Sequence, residues 1–369
     1  MDELGRERAR AANPRSGAWV VAIRLRQLGD AVATLAALQE IQRSGRRVAY
    51  VVDRVYHPLL AQFDCVDQLI DSPPRVSGPA RVAAYVHWIK NIRTLQPEAV
   101  LDFHGSWRTA LVSCVLGAPR RVGYQLRGRG RLYHHAEPRE CRRAGVVVPQ
   151  TSSASAVGLA RVAGVASSTS ADGARCELPT LPHLSVSVAA RNEAARAMRA
   201  AGVPVDAVAS GRVLGVNPGR AYPAKGWAAD RWSELARRLV KAGWTVVVLW
   251  GPGEETGVRR VCTESGTGVY MAPQTPLSGV PGLLALLRGV ITIDSGLKHL
   301  AVCVGTPTVT LFGATDPREW HMGGENDVVL WKGLSCSPCR LLTCPFGAPC
   351  MDFSVGDVEH ALFGSGKIK

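Results

Sequence analysis

The segment VITIDSGLKHL, residues 290–300, places polar side chains directly after an apolar run. The run ends at Asp294, and Ser295, Gly296 and Leu297 follow. A helix that begins here directs its unpaired N–H groups and its positive dipole end toward the strand end, where phosphate binds well. Gly296 would let an anion approach the backbone, and Ser295 would add a hydroxyl donor. The alternative is that Asp294 or Ser295 serves only as the helix N-cap.

Two further loops follow apolar runs in the same half of the chain. NPGRAYPAKGW carries Arg220 and Lys225, two cations that would neutralise a diphosphate, although a loop lysine is usually a solvated charge. WGPGEE carries Glu254, which would accept hydrogen bonds from a ribose, as an acid does in dinucleotide-binding folds. These loops lack GxGxxG, so their glycines are weak evidence by themselves. Together the loops predict a site for a nucleoside diphosphate.

The N-terminal half has a matching loop in RLRQLGDAV, residues 24–32. Asp30 follows an apolar run and has no obvious partner in the sequence, so it is a candidate general base. Arg24 and Arg26 come just before it. An equally good interpretation is that Asp30 is the N-cap of a helix that begins at Ala31.

Four of the ten cysteines are clustered in CSPCRLLTCPFGAPC. Cys336, Cys339, Cys344 and Cys350 follow the spacing C-x2-C-x4-C-x5-C. Four thiolates can close around a tetrahedral zinc or iron ion, which would fix the segment before a final helix. A reducing cytoplasm argues against two disulfides. The spacing is not that of a standard zinc finger, so free thiols are the alternative.

Length and composition predict two domains in a cytoplasmic chain. The protein has 369 residues, of which 46% are hydrophobic, more than one ordinary core needs. The first residues are charged and contain no apolar signal segment, and no apolar run reaches the length of a membrane span.

The net charge is +14, and lysine accounts for only seven of the 44 basic residues. A GC-rich genome would explain much of the arginine. The distribution is more informative: eight arginines lie between Arg120 and Arg143, beside only two acids. Such a patch fits a phosphorylated glycan, a membrane surface or a nucleic acid, or else a solvated loop. No recognition helix, finger or aromatic-rich basic stripe favours nucleic acid.

Apolar runs alternate with helical patterns in both halves, which predicts βαβ units and parallel sheets. Runs begin at Trp19, Arg46 and Ala99 in the first half, and VLGVN, TVVVLW, VITI and TVTLF repeat the theme in the second. We therefore expect an α/β protein of two doubly wound domains facing across a cleft. The predicted domains are 17–185 and 186–350, followed by a C-terminal helix and tail over 351–369.

Four segments in order resemble glycosyltransferase family 9, the ADP-heptose–lipopolysaccharide heptosyltransferases. They are IRLRQLGDAVATLAALQEI, LDFHGSWRTALVSCVLGAPRRVGY, NPG with KGWAADRWSELARRL, and IDSGLKHLAVCVGTPTVTLFGATDP. The last is similar to the family's hallmark. Two departures are Ala36, where the family usually has proline, and a Ser/Ala-rich stretch over 151–175.

The resemblance implies a GT-B architecture and an inverting, metal-independent sugar transfer. Asp30 would be the base that deprotonates the acceptor hydroxyl. Lys225 and the backbone of Ser295 and Gly296 would stabilise the departing diphosphate. Some family members also carry a cysteine cluster at this place, and the C-terminal helix would pack back on the first domain.

Other residues take roles by the same match. Glu254 would hold the ribose, and Asp294 would lie near the donor sugar. His299 would support the loop. Arg24 and Arg108 would lie on the acceptor side. Arg220 and Leu297 complete the donor-binding set that we predict.

The implied reaction moves a heptose from ADP-heptose to a lipopolysaccharide inner-core type acceptor, an anionic glycan or glycolipid. We expect no cofactor for catalysis, no nucleic-acid partner, and peripheral contact with the inner face of the membrane. The alternative is transfer of another nucleotide-linked sugar to a different glycan or natural product. A binding protein without catalysis is disfavoured because both Asp30 and Lys225 are present.

Overall fold

A computed structural model of the protein describes residues 17–73, 78, 80–138, 141–143, 146–148, 151–166, 180–219, 224–324, 326–364 and 366. The chain divides between Pro182 and His183 into two compact units, called the first unit and the second unit below. The division lies close to the boundary after residue 185 that the sequence suggests.

The first unit contains a parallel six-stranded sheet. Its strands are β1 (Trp19–Ile23), β2 (Arg47–Val52), β3 (Gln68–Asp71), β4 (Ala99–Asp102), β5 (Arg120–Tyr124) and β6 (His135–Glu137). They are ordered β3-β2-β1-β4-β5-β6. The helices are α1 (Leu28–Arg43), α2 (His57–Leu60), α3 (Ala80–Arg93), α4 (Trp107–Val115) and α5 (Ser152–Val162). A separate antiparallel pair, β7 (Cys141–Arg143) and β8 (Val146–Val148), follows β6 along the chain.

The second unit repeats this plan. Its strands are β9 (Val213–Asn217), β10 (Thr245–Val248), β11 (Val269–Met271), β12 (Gly289–Ile293), β13 (Thr308–Phe312) and β14 (Asp327–Trp331). The order is β11-β10-β9-β12-β13-β14, with all neighbours parallel. The helices are α6 (Val188–Ala200), α7 (Val205–Ala209), α8 (Ala229–Lys241), α9 (Glu255–Ser265), α10 (Val280–Leu284), α11 (Gly296–Val304), α12 (Pro317–Trp320) and α13 (Val355–Gly364).

The central strands are continuous apolar runs because both faces of each sheet are covered. Every residue of β9 and β12 is buried, as is every residue of β4. Strands of this kind belong to the interior of doubly wound α/β folds. The prediction of two Rossmann-like α/β domains is confirmed. Their arrangement across a cleft stays a prediction.

Chain order reverses at the same place in both sheets. β1 pairs with β2 on one side and β4 on the other, and β9 pairs likewise with β10 and β12. In open α/β sheets, ligands bind outside the carboxyl ends of the strands at such a reversal. The loops after β1, β4, β9 and β12 are therefore the places to look for chemistry.

The packing of residues 351–369 on the first domain stays a prediction. Their helix α13 belongs to the core of the second unit. Its Val358 and Leu362 are fully buried there, and Phe363 stacks on Trp244 with 6.4 Å between ring centroids. The apolar side of the helix is therefore used within its own unit. Among the described residues, no helix is long and apolar enough to cross a bilayer.

Candidate active site

In the second unit, the loop from β12 to α11 contains several polar groups that could bind a ligand. Asp294 ends the buried run of β12, and Ser295 is the N-cap residue of α11. The Ser295 side chain makes no capping hydrogen bond; its Oγ lies 3.3 Å from Thr292 Oγ1. The first-turn amides, which begin at Gly296 and Leu297, have no acceptor within the helix by its geometry. Ser295 therefore occupies the N-cap position, as the alternative interpretation proposed, but its side chain does not cap the helix.

Asp294 is the centre of a buried charge cluster. Its Oδ1 accepts from the Lys298 ammonium at 3.0 Å. Its Oδ2 accepts from Lys225 Nζ at 3.2 Å and from Thr315 Oγ1 at 2.8 Å. Burial alone would raise the pKa of Asp294, but the two ammonium groups and the hydroxyl outweigh it and hold the pKa well below its usual range. The carboxylate is ionised at neutral pH.

Lys298 is a site residue that sequence reasoning missed. Its side chain is 2% exposed, its Nζ donates to Trp320 O at 2.7 Å, and the ammonium lies 4.6 Å from the centroid of the Phe312 ring. Burial lowers its pKa, and the Asp294 carboxylate opposes that shift. The available signal was its spacing, four residues after Asp294, which places both side chains on one face of a helix start.

Lys225 is the more accessible of the two lysines. Its side chain is 24% exposed, against 2% for Lys298. Since one carboxylate faces two ammonium groups, the cluster carries a net positive charge beside the positive end of α11. Such an arrangement can attract an anion, and the exposed Lys225 can turn toward it while Lys298 and Thr315 still hold Asp294.

His299 lies behind this loop. It is 2% exposed, its ring centroid is 6.3 Å from that of Trp320, and its Nδ1 has no hydrogen-bond partner among the described residues. Burial, followed by the nearby Lys298 ammonium, lowers its pKa well below the usual value. The imidazole is therefore neutral and does not add to the positive charge.

Glu254 occupies the loop after β10, as the sequence suggested. It is the N-cap residue of α9, and its Oε2 accepts from Gly251 N at 2.7 Å. The side chain is half-buried, and its backbone N–H donates to Gly251 O at 3.1 Å. The carboxylate thus closes the glycine loop, and its role toward a ribose stays a prediction. Arg220, predicted beside Lys225, lies outside the described residues.

Asp30 has a partner, contrary to its appearance in the sequence. The Arg24 guanidinium forms an ion pair with Asp30 Oδ1 and also donates to Phe103 O. Helix α1 begins at Leu28, not at Ala31, because Ala31 N already donates to Gln27 O at 3.0 Å. Asp30 is therefore inside the first turn and is not the N-cap. Its carboxylate is 6% exposed.

A second carboxylate at this edge of the first sheet was not predicted. Asp102 at the end of β4 is fully buried, and its Oδ1 accepts from His104 N at 3.0 Å and Gly105 N at 2.9 Å. Its Oδ2 accepts from Tyr133 Oη at 2.6 Å. Half-buried His104 follows, and burial and the Arg24 guanidinium lower its pKa. The LDFHG motif was the only signal for this network.

Arg108 lies in the first turn of α4, and its guanidinium is hydrogen-bonded to a backbone carbonyl. Its Nη2 donates to Pro73 O at 2.7 Å, and the guanidinium lies 5.6 Å from the centroid of the Tyr85 ring. The structure therefore gives Arg108 a packing role between α3 and α4. An acceptor role for it stays a prediction.

The four clustered cysteines line one small cavity in the second unit. The wall is completed by Ala224, Leu341, Pro345, Phe346 and Pro349. Cys336 is exposed, whereas Cys350 is buried. No group of three or more His, Cys, Asp or Glu side chains in the described part of the chain is arranged as a metal-ligand set. Four thiols could supply donors for zinc or iron, but they are not arranged as a ligand set, and a metal site here stays a prediction.

The cysteine segment is bonded to the loops that carry the charge cluster. Ala224, the residue before Lys225, donates its N–H to Leu342 O at 3.2 Å. On the other side, Arg340 N donates to Ala314 O at 2.8 Å, next to Thr315. The position of Lys225 and Thr315 therefore depends on how this segment folds.

The chain has two doubly wound units. In the second, positive charge lies at the start of α11, at the switch point where the strand order reverses. These features define a protein of the GT-B class. The family model of glycosyltransferase family 9 (heptosyltransferase) matches residues 86–349. The chain belongs to this family. The predicted family is confirmed on this finding.

Curated relatives match over a shorter range. The chain is 32% identical to lipopolysaccharide heptosyltransferase 1 of Pseudomonas aeruginosa over 128 residues, which cover 35% of this chain and 36% of the relative. The chain thus spans about a third of the length of the curated relatives it matches.

Solved structures match over nearly the whole chain. A glycosyl transferase family 9 structure from Veillonella parvula gives a TM-score of 0.73 at 19% identity, covering 94% of this chain and 97% of that one. The E. coli heptosyltransferase WaaC with ADP gives 0.66 at 20%, covering 94% and 99%. An iron-containing dodecameric glycosyltransferase, TibC of enterotoxigenic E. coli, gives 0.58 at 16%, covering 96% and 77%. At these identities the likeness shows the fold.

Proposed function

We propose that the protein is an inverting glycosyltransferase that moves a heptose from ADP-heptose to a lipopolysaccharide inner-core type acceptor. The observation that carries the proposal is the excess of positive charge around Asp294, at the start of α11 and at the switch point of the second unit. A diphosphate leaving group needs such a place, and the chain belongs to a family of heptosyltransferases.

At the donor end, the diphosphate would sit against the amides of Gly296 and Leu297 and the Ser295 hydroxyl. Lys225 would turn from Asp294 to the phosphates. Lys298 and Thr315 would keep Asp294 oriented toward the sugar when Lys225 leaves, because each holds it at hydrogen-bond distance.

Other predicted donor residues would complete the site. The Glu254 carboxylate would bind the ribose hydroxyls from the loop after β10. His299, neutral and buried, would support the α11 loop; its Nδ1 has no hydrogen-bond partner among the described residues. Arg220 would add a further cation toward the diphosphate.

At the acceptor end, Asp30 would take the proton of the attacking hydroxyl. The acceptor oxygen bonds to the anomeric carbon as the bond from that carbon to the diphosphate oxygen breaks, and ADP leaves with the electron pair. Arg24 would orient the Asp30 carboxylate through their ion pair. Arg24 and Arg108 would lie on the side of an anionic glycan or glycolipid, with peripheral contact at the inner face of the membrane.

The positive charge for the leaving group would come from Lys225 and α11, so the proposed transfer needs no catalytic cofactor. A structural zinc or iron ion would be held by Cys336, Cys339, Cys344 and Cys350. Elemental analysis of protein purified without chelator should give about one such ion per chain, lost in the Cys339→Ser variant. Metal-free protein with an unchanged melting temperature in that variant would contradict the metal site.

The test of the function is calorimetric titration with ADP, GDP and UDP, followed by transfer from ADP-heptose to a deacylated inner-core acceptor. We expect ADP alone to bind and transfer to invert the anomeric centre. Preference for GDP or UDP would overturn the ADP-heptose donor and point to the alternative, another nucleotide-linked sugar. Retention of configuration would overturn Asp30 as a base in a single displacement.

A further inference from the structure

Helix α4 in the first unit turns an apolar stripe toward solvent. Trp107, Leu111 and Val115 are 54%, 55% and 48% exposed. They follow each other at intervals of four residues, so they lie along one side of the helix. The opposite side already packs inward through buried Thr109 and Ala110. The stripe is therefore not the side that the core of the unit uses.

Helix α3 also exposes apolar side chains. Its Val82 and Val86 are 68% and 43% exposed and are again four residues apart. The two helices are neighbours, because Arg108 of α4 lies over the ring of Tyr85 of α3. We call the side defined by Val82, Val86, Trp107, Leu111 and Val115 the α3–α4 face.

Arginines outnumber acids in the sequence around α3 and α4. Residues 103–136 contain six arginines and no Asp or Glu, and residues 72–97 also lack any acid. The Arg129 guanidinium lies 5.9 Å from the centroid of the Trp107 ring, and Arg127 and Arg131 beside it are exposed. At the other end of α4, the Arg93 side chain lies next to Gly117. Cations therefore lie near both ends of the apolar stripe.

We propose that the α3–α4 face docks on an anionic phospholipid bilayer. An indole and aliphatic side chains can enter the interface while arginines at the rim bind lipid phosphates. A second copy of the chain is the less suitable occupant, because a symmetric contact would bring the same arginines together. The inference deepens the proposed function, since a glycolipid acceptor lies in such a bilayer, but it depends on the first unit alone.

Sedimentation with vesicles tests the apolar part. Full-length protein should bind vesicles of phosphatidylglycerol mixed with phosphatidylcholine and should not bind phosphatidylcholine alone. The double variant Leu111→Glu/Val115→Glu should weaken binding by at least tenfold. Val188→Glu/Val205→Glu is the matched control, because it adds the same charge at two exposed helix valines of the second unit, 74% and 53% exposed. Equal binding by the double variant and the wild type would overturn the proposal.

The charged part has its own test. Arg127→Gln and Arg131→Gln should each weaken binding to the anionic vesicles by about fivefold, as expected for a basic residue at a lipid surface. Arg196→Gln, an exposed helix arginine of the second unit, removes the same charge elsewhere and should have little effect. An equal loss in all three variants would mean that net charge alone drives binding and would overturn a defined face.

Two further measurements separate this inference from its competitors. Light scattering should give the same mass for wild type and the double variant; a dimer that the variant dissociates would assign the face to a second copy and overturn bilayer docking. Thermal unfolding of the double variant, compared with that of the wild type, checks that its first unit is folded. Vesicle binding with no ADP binding in the wild type would refute the proposed function while docking stands, and the reverse result would refute docking alone.

Discussion

The two units share one strand order but differ in charge at the point where that order reverses. In the second unit, Asp294 faces two lysines, so positive charge exceeds negative. In the first unit, Asp30 is matched by Arg24, and Asp102 is satisfied by two amides and the Tyr133 hydroxyl. The shared strand order therefore does not determine the function of each unit. The side chains leave one edge with an excess of positive charge and the other with carboxylates that are each paired.

The largest expected effect is on the rate of transfer and comes from a change in the first unit. Asp30→Asn removes the proposed base and should lower the rate of transfer by about 10³-fold, because general base catalysis contributes that much. ADP affinity should not change, since the donor loops belong to the other unit. Asp64→Asn, an exposed acid of the same unit, is the control in a steady-state transfer assay. Transfer that survives in Asp30→Asn would remove Asp30 from the mechanism.

The next effect concerns stability in the second unit. Lys298→Met removes one partner of a buried ion pair and should lower the free energy of unfolding by about 3 kcal/mol. The double variant Asp294→Asn/Lys298→Met should recover part of that loss, because no buried charge is left without its counterion. Urea unfolding of the four proteins of this cycle measures the coupling. Additive losses would show that Lys298 and Asp294 act independently.

Lys225→Ala should weaken ADP binding by about tenfold to a hundredfold, the value of a hydrogen bond to a charged group. Unfolding should change little, because Lys225 is partly exposed and Lys298 still pairs with Asp294. Lys241→Ala, an exposed helix lysine of the same unit, serves as the control in calorimetry. If the affinity for ADP stays at the wild-type value, the cationic excess does not serve the diphosphate.

The smallest expected effect is on the free energy of unfolding and comes from a second change in the first unit. Tyr133→Phe deletes the hydroxyl that donates to buried Asp102 and should cost about 1 to 2 kcal/mol of unfolding free energy. ADP affinity should be unchanged. Thermal unfolding and calorimetry on one preparation check both statements. A change in ADP affinity without loss of stability would contradict the separation between the two edges.

The sequence predicted the strands and helices better than it predicted which side chains contact each other. Buried parallel strands leave continuous apolar runs, so β1, β4, β9 and β12 were visible, and the runs VLGVN and VITI end at the same residues as β9 and β12. The position of Asp294 at a strand end was visible for the same reason. Local spacing could have paired it with Lys298, four residues along the chain.

Contacts between distant segments left no such trace. Tyr133 reaches Asp102 across 31 residues, and Lys225 reaches Asp294 across 69. Arg24 lies six residues before Asp30, but only the turn after β1 brings the two together. The packing of α13 in the core of the second unit left no trace either, because an apolar helix can pack on any apolar surface, and Val358 and Leu362 do not specify which one.

The composition of the acid-free stretch 103–136 has a consequence for regulation. Six arginines carry its positive charge at neutral pH, beside three histidines, and it contains no lysine. A guanidinium stays protonated at any pH that a cell reaches, and the acetyltransferases that silence lysine have no amine to modify there. The positive charge beside α4 is therefore permanent. Acetylation, which removes positive charge at lysine, therefore cannot switch it off.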